Sequence, residues 1–388
     1  MLFLILIYLT FISLGLPDSL LGSSWPLMNS DLGVSTGSAG LVSFIITSGT
    51  ILSSLFSHSL ISLWGTGKIT LTSVFMTAIA LLGFSFSHSF LWLLLCSIPL
   101  GLGAGAVDAG LNKFVAEHYE AKHMNWLHAF WGVGAMLAPL LMSVLLFEGN
   151  TWRGGYLTIS SLQMAIVILL VFSLPVWKRV EASPISIHGE AEDKRQPALL
   201  STLSRRGALW GLLSFFLVAS IEASMMLWGS TYLVKQEQVS PESAAGWVSL
   251  FFLGMTAGRM LSGWISSRWS NETLIRFGSV LTLLGFIVML LPLPTPFTLT
   301  SFILVGSGLA PIFPSMLHQT PQYYGQHAPA AMGAQMACAY TGTTLVAPGM
   351  GQLLSFISFS FFPYLLLACS AGLLLSRELF KWRTSDLP

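Results

Sequence analysis

Charge is what this chain has least of. Asp, Glu, Lys and Arg make up only 9% of its 388 residues, against ~25% in an ordinary soluble domain. A soluble fold of this length could not cover its surface with so few charges, so lipid must face most of the exterior. The net charge of +1 excludes the broad basic footprint of a nucleic-acid binder. Cysteine is nearly absent: Cys96, Cys338 and Cys369 stand singly in apolar stretches, too scattered for a disulfide framework or a zinc site. There is no Walker loop, no His/Glu metal pair and no nucleophile elbow. ATP-driven transport and intramembrane enzymology are thus unsupported, and no cofactor is implied. The apolar run that starts at Leu2 lacks a basic flank and a small-residue cleavage site, so it reads as a retained first span rather than a leader.

Apolar side chains, at 54%, are what the chain has in excess. A membrane helix needs ~20 mostly apolar residues. That criterion predicts about twelve spans, near 2–25, 38–62, 69–87, 90–115, 124–147, 155–177, 208–234, 243–266, 273–292, 297–318, 329–352 and 355–376. The polar stretch 178–206, with four acidic residues, six basic residues and two prolines, reads as a solvated linker. It separates an N-terminal bundle, 1–177, from a C-terminal one, 207–388. Placing both termini in the cytoplasm leaves only Arg153 and Lys235 outside among the 17 Lys and Arg, as the positive-inside rule requires. The halves also echo each other. Gly40-Leu-Val-Ser-Phe recurs as Gly246-Trp-Val-Ser-Leu, Gly101-Leu-Gly as Gly306-Ser-Gly, and Pro139 as Pro348, at offsets of 206, 205 and 209. The expected fold is therefore an all-α membrane protein of twelve helices in two pseudo-symmetric six-helix bundles, with a binding site between halves that rock.

Three carboxyls fall inside the spans: Asp18, Asp108 and Glu222. Inserting one at a helix centre costs ~2.5–3.5 kcal/mol, and no Lys or Arg lies at matching depth, Arg259 being near the cytoplasmic end of its span. Acids in that setting bind and release protons under the control of their surroundings, which a proton-coupled carrier requires. The plainer reading is a protonated carboxyl that ties two helices together. Gly101, Gly105, Asp108 and Asn112 share one helical stripe, and Asn125, His128, Gly132 and Pro139 share another. The small residues let a neighbouring helix or a ligand approach. Asn112 and His128 each lie eight residues from Glu120, which places Asp108, Asn112 and His128 at similar depth; His128 is equally well read as an interfacial residue. Pro17, Gly15 and Gly22 around Asp18 suggest a broken first helix. Trp25 reads as interfacial, whereas Trp131 and Trp228 lie deep enough to stack on a ligand. Gln335 is the hydrogen-bonding candidate of the second half.

These motifs resemble the major facilitator superfamily. The second-to-third loop, Leu60-Ile-Ser-Leu-Trp-Gly-Thr-Gly-Lys68, lacks the usual acidic residue of the family signature, while Gly258-Arg259-Met-Leu-Ser-Gly263-Trp-Ile-Ser-Ser-Arg268 keeps its glycines and arginines. Within that superfamily the chain is most similar to the fucose–galactose–glucose/proton symporters and their uncharacterised relatives. Asp18 matches their acidic residue in helix 1, and Asp108, in Gly101-Leu-Gly-Ala-Gly-Ala-Val-Asp108-Ala-Gly-Leu-Asn112, stands where they carry glutamate. His128-Ala-Phe-Trp131-Gly132 aligns with their sugar-contacting helix 5, with Trp131 in place of an amide.

The resemblance implies a multi-pass protein of a bacterial plasma (inner) membrane that works as a monomer and couples a small polar, sugar-like solute to protons. On that resemblance Asp18 and Asp108 would handle protons, and Glu222 joins them by its place inside a span; Asn112, Asn125, His128, Trp131, Trp228 and Gln335 are the side chains expected to contact solute. Gly132-Val-Gly134-Ala-Met-Leu-Ala-Pro139 is similar to an antiporter signature, without its glycine pair after the proline. Proton-linked export of drugs or other amphiphiles is therefore the alternative. A non-transporting sensor would normally add a folded soluble domain, for which the longest polar segment is too short.

Overall fold

A computed structural model describes residues 2–181 and 202–384. The apolar stretches are helical, and no strand occurs among the described residues. In chain order the first helices are α1 (Leu2–Asp31), α2 (Ala39–Trp64), α3 (Thr66–Ser85), α4 (Phe90–His118), α5 (Ala121–Phe147) and α6 (Trp152–Glu181). After residue 201 come α7 (Ala208–Lys235), α8 (Pro241–Ile265), α9 (Asn271–Leu290), α10 (Thr295–Leu309), α11 (Ile312–Tyr324), α12 (Ala328–Thr341), α13 (Ala347–Phe356) and α14 (Phe362–Thr384).

Helix is the form that satisfies every backbone group within one segment, which hydrocarbon demands. Several buried hydroxyls are satisfied by bonding back to their own helix: Thr10 donates to the Leu6 carbonyl at 2.8 Å, Ser24 to Leu20 at 2.7 Å and Ser214 to Trp210 at 2.8 Å. Gly65, at φ +81°, ends α2 and begins α3, a conformation for which glycine is suited. The Glu181 carboxylate then accepts the Thr66 N–H at 2.7 Å, so an acid from the end of α6 sits at the positive N-terminus of α3. Helix α6 thus runs past the expected boundary at 177; residues 182–201 of the expected linker lie outside the described residues.

Among the described residues, eleven helical runs are long and apolar enough to cross a membrane. The longest covers Thr295–Phe356, 62 residues, about three times the ~20 needed for one crossing. It doubles back at a 3-10 turn over Gly325–His327, where Gly325 has φ +51°, and so supplies two crossings and the twelfth span. The expected break at Pro17 is absent: α1 is one helix through both Pro17 and Pro26. Close packing supports it there, since Gly15 lies directly on the Trp131 carbonyl of α5, and neighbouring helices re-satisfy the backbone at a membrane proline. Irregularity appears instead in the second half. A π-segment, Gly342–Val346, precedes Pro348, whose missing N–H cannot serve the carbonyl one turn back.

Two compact units result, Met1–Ala191 with Gln238–Ser249, and Glu192–Glu237 with Leu250–Pro388. In the first, α1 packs on α5, α4 on α2 and α3, and α3 on α6. In the second, α7 packs on α12 and α14, and α9 on α10 and α14. The sequence echo has a physical counterpart within each unit. Gly101 meets the Ile46 carbonyl, and Gly306 meets that of Phe251; Gly134 meets the Ile12 carbonyl, and Gly342 that of Phe216. The same backbone-to-backbone contacts are built twice.

Candidate transport site

Helices α1, α4 and α5 of the first unit bring Asp18 and Asp108 within electrostatic range of one another. The register of α1 on α5 is set by two glycines, Gly15 against Trp131 and Gly134 against Ile12, which let the backbones touch. That register carries Trp131 to Asp18, and its indole Nε1 donates to Asp18 Oδ2 at 2.8 Å. On α4 the Asn112 amide donates to Asp108 Oδ1 and to the Asp108 carbonyl, both at 2.9 Å. Asp18 is exposed and Asp108 is half-buried. Among the described residues neither carboxyl has a Lys or Arg partner. Each is held by a neutral donor, which can serve a carboxylate or the carbonyl oxygen of a carboxylic acid.

The small residues on α4 serve a helix rather than a ligand. A side chain at Gly101 or Gly105 would strike the Ile46 or Thr50 carbonyl of α2. Across the same seam Thr50 donates to the Gly101 carbonyl at 3.3 Å and Ser54 to that of Gly105 at 3.1 Å. His128 is exposed and lies edge-on to Phe11 of α1, centroids 6.0 Å apart. The Asn125 side chain lies outside the described residues.

Three expectations are corrected. Glu222 has a cationic partner: Arg259 Nη2 lies 3.6 Å from its Oε1, because the long arginine stem bridges a difference in depth that counting along the helix takes as separation. Trp228 has no exposed surface; its Nε1 donates to the Ala347 carbonyl at 2.7 Å, its ring lies on Gly351, and Phe359 packs edge-on. It fills the bundle and offers no face to a ligand. Trp25 is also fully buried rather than interfacial, donating to the Thr36 carbonyl at 2.7 Å. Gln335 is buried and accepts from the Thr320 hydroxyl at 2.9 Å.

The Trp131–Asp18 bond joins two residues 113 positions apart that the sequence presents as separate features. The glycines at 15 and 134 that fix the α1/α5 register were its only trace in the sequence. Its loss is testable. Trp131→Phe keeps the ring bulk but removes the donor, and a hydrogen bond to a charged group contributes ~1.5–3 kcal/mol. Transport is expected to fall roughly tenfold with a displaced pH profile, while Trp126→Phe, at an exposed ring on the same helix, leaves both unchanged. An unaltered pH profile in Trp131→Phe would remove the indole from the site.

Long apolar helices in two units, with acids held inside them by neutral donors, define a polytopic membrane protein of the carrier type. The model of the Major Facilitator Superfamily matches residues 7–348, and the chain belongs to that family. It is thus a membrane transporter of small molecules. It is 23% identical over 319 residues to the glucose/mannose transporter GlcP of Bacillus subtilis (strain 168), covering 80% of this chain and 77% of that one. Among solved structures it is similar to the nucleoside transporter NupG, with TM-score 0.78, 14% identity and coverage of 97% and 98% of the two chains. It is also similar to FucP in its outward conformation, with TM-score 0.65, 15% identity and the same coverages. At such identities these two structures speak for the fold alone.

Proposed function

We propose that this chain is a proton-coupled symporter of a small, polar, uncharged solute, sugar-like in its hydroxyl groups, working by alternating access as a monomer. Both termini lie in the cytoplasm, and the membrane is a bacterial inner membrane. One observation carries the reading: Asp18 and Asp108 lie within electrostatic range of one another with no Lys or Arg partner among the described residues, each held by a neutral donor. Two charged carboxylates so placed repel one another. A proton on one of them, or hydroxyl donors brought by a solute, relieves that repulsion, so proton and solute favour each other's binding. A cation in the cluster would have cancelled the effect. Glu222 is given a lesser role, because Arg259 already balances its charge. The similarity to a glucose/mannose transporter supports a sugar as the first solute to try.

The test is uptake in proteoliposomes carrying an internal pH dye. Addition of a hexose, with glucose, mannose and fucose tried in turn, is expected to acidify the lumen in a saturable way. The antiport reading, which rests on the Gly132–Pro139 run, predicts the reverse: solute loss accompanying proton uptake, and broad drug resistance on overexpression. Sugar flux indifferent to a proton gradient would sink the symport proposal.

A further inference from the structure

The second unit contains a cavity unrelated to the carboxyl pair. It measures about 220 Å³ and is lined by Arg205, Arg206, Tyr323, Tyr324, Phe380 and Thr384. That is below the ~300–1,000 Å³ of drug-sized sites and suits a headgroup-sized ion. The lining comes from the residues just before α7, the end of α11 and the end of α14, which the alternation of spans and the Lys/Arg count put on the cytoplasmic side. Three local features bring the arginine pair to the cavity. Thr202 Oγ1 bonds His327 Nδ1 at 3.1 Å, which ties the segment to the Gly325–His327 turn. Gly207 then takes φ +81°, and a side chain there would strike Thr384 and Phe380. Among the described residues no carboxylate pairs with Arg205 or Arg206.

A smaller cavity shares Tyr323, Tyr324 and Phe380 and leads to Arg377. That guanidinium is 3% exposed, donates to Gln319 at 2.9 Å, sits 3.4 Å from Glu272, and lies over the Phe380 ring at 4.8 Å. Its Nε has no hydrogen-bond partner among the described residues, an unusual state for a buried donor. Two arginines at the mouth with no carboxylate partner among the described residues, tyrosine hydroxyls on the wall, an apolar phenylalanine floor and a third arginine behind it form a set of donors suited to phosphate oxygens.

We propose that this cavity binds a phosphate-bearing anion, the headgroup of an acidic phospholipid or a soluble phosphate, at the cytoplasmic end of the second bundle. The site is independent of the transport reading.

The experiment measures thermal unfolding by tryptophan fluorescence in phosphatidylcholine nanodiscs, with phosphatidylglycerol included in one arm and inorganic phosphate titrated in the other. Wild-type protein is expected to gain roughly 2–8 °C in Tm in at least one arm. A gain with phosphatidylglycerol alone assigns the lipid headgroup, and a gain with phosphate assigns a soluble anion. Arg205→Gln with Arg206→Gln should need roughly tenfold more ligand or lose the shift. Tyr323→Phe with Tyr324→Phe, which changes no charge, should also weaken it, whereas Arg268→Gln, outside the cavity, should not. No shift in either arm, a shift that survives loss of both arginines, or an equal loss in Arg268→Gln would overturn the proposal, the last because it marks diffuse attraction to charge.

Discussion

Asp18→Asn and Asp108→Asn are each expected to abolish uphill, proton-driven accumulation while leaving folded protein in the membrane. Asparagine keeps the side-chain size and an acceptor oxygen, so the bonds from Trp131 and Asn112 survive and the packing of α1, α4 and α5 has no reason to change. What disappears is the proton site. One charge moving through 100 mV supplies ~2.3 kcal/mol, which sustains roughly fifty-fold accumulation; without it the internal concentration should rise only to the external one. Exchange of labelled for unlabelled solute, which needs no net proton movement, should continue. The wild type, for which the proton is a co-substrate, should slow as external pH rises; the variants should not. Glu222→Gln is the contrast, expected to keep accumulation because Arg259 had already balanced that charge. If both aspartate variants still accumulate solute against its gradient, the coupling assignment fails, and Glu222 returns as the candidate.

The parts of this protein that were legible in sequence are those governed by one-dimensional rules. Hydropathy located the spans because every residue in a spanning stretch must tolerate hydrocarbon, a condition that needs no knowledge of neighbours. Asp18 and Asp108 stood out for the same reason: a carboxyl in such a stretch is costly wherever its neighbours lie. What stayed hidden depends on which helix faces which. Trp131 and Trp228 are alike in sequence, both deep in a span and both candidates for stacking. Packing makes the first a donor to Asp18 and encloses the second between Gly351 and Phe359. Arg259 reaches Glu222 by side-chain length, which a count of residues along a helix does not register. Pro17 and Pro348 are equally strong helix-breaking signals, yet only the second accompanies an irregular backbone, because Gly15 lets α5 pack directly against α1 beside the first.

The duplicated glycine contacts give the second prediction, in which one substitution should act in opposite directions at different sites. Gly101→Ala and Gly306→Ala are expected to cost at least about 2 kcal/mol each. The added methyl carbon would strike the Ile46 carbonyl oxygen in one unit and that of Phe251 in the other. Neither oxygen can rotate away, since it belongs to a helix backbone, so α4 must move off α2 and α10 off α8. The hydrogen bonds across the first seam, Thr50 to Gly101 and Ser54 to Gly105, lengthen with it. Gly263→Ala and Gly349→Ala meet nothing within 4 Å and should be neutral or stabilising by up to ~1 kcal/mol, because alanine is the better helix former. Monodisperse yield and unfolding temperature after detergent extraction would separate the two pairs. A chain whose glycines mattered only through helix propensity would gain stability at all four positions. A chain that is two copies of one packing scheme should lose it at 101 and 306 by similar amounts, since the two sites, 205 residues apart, make the same contact.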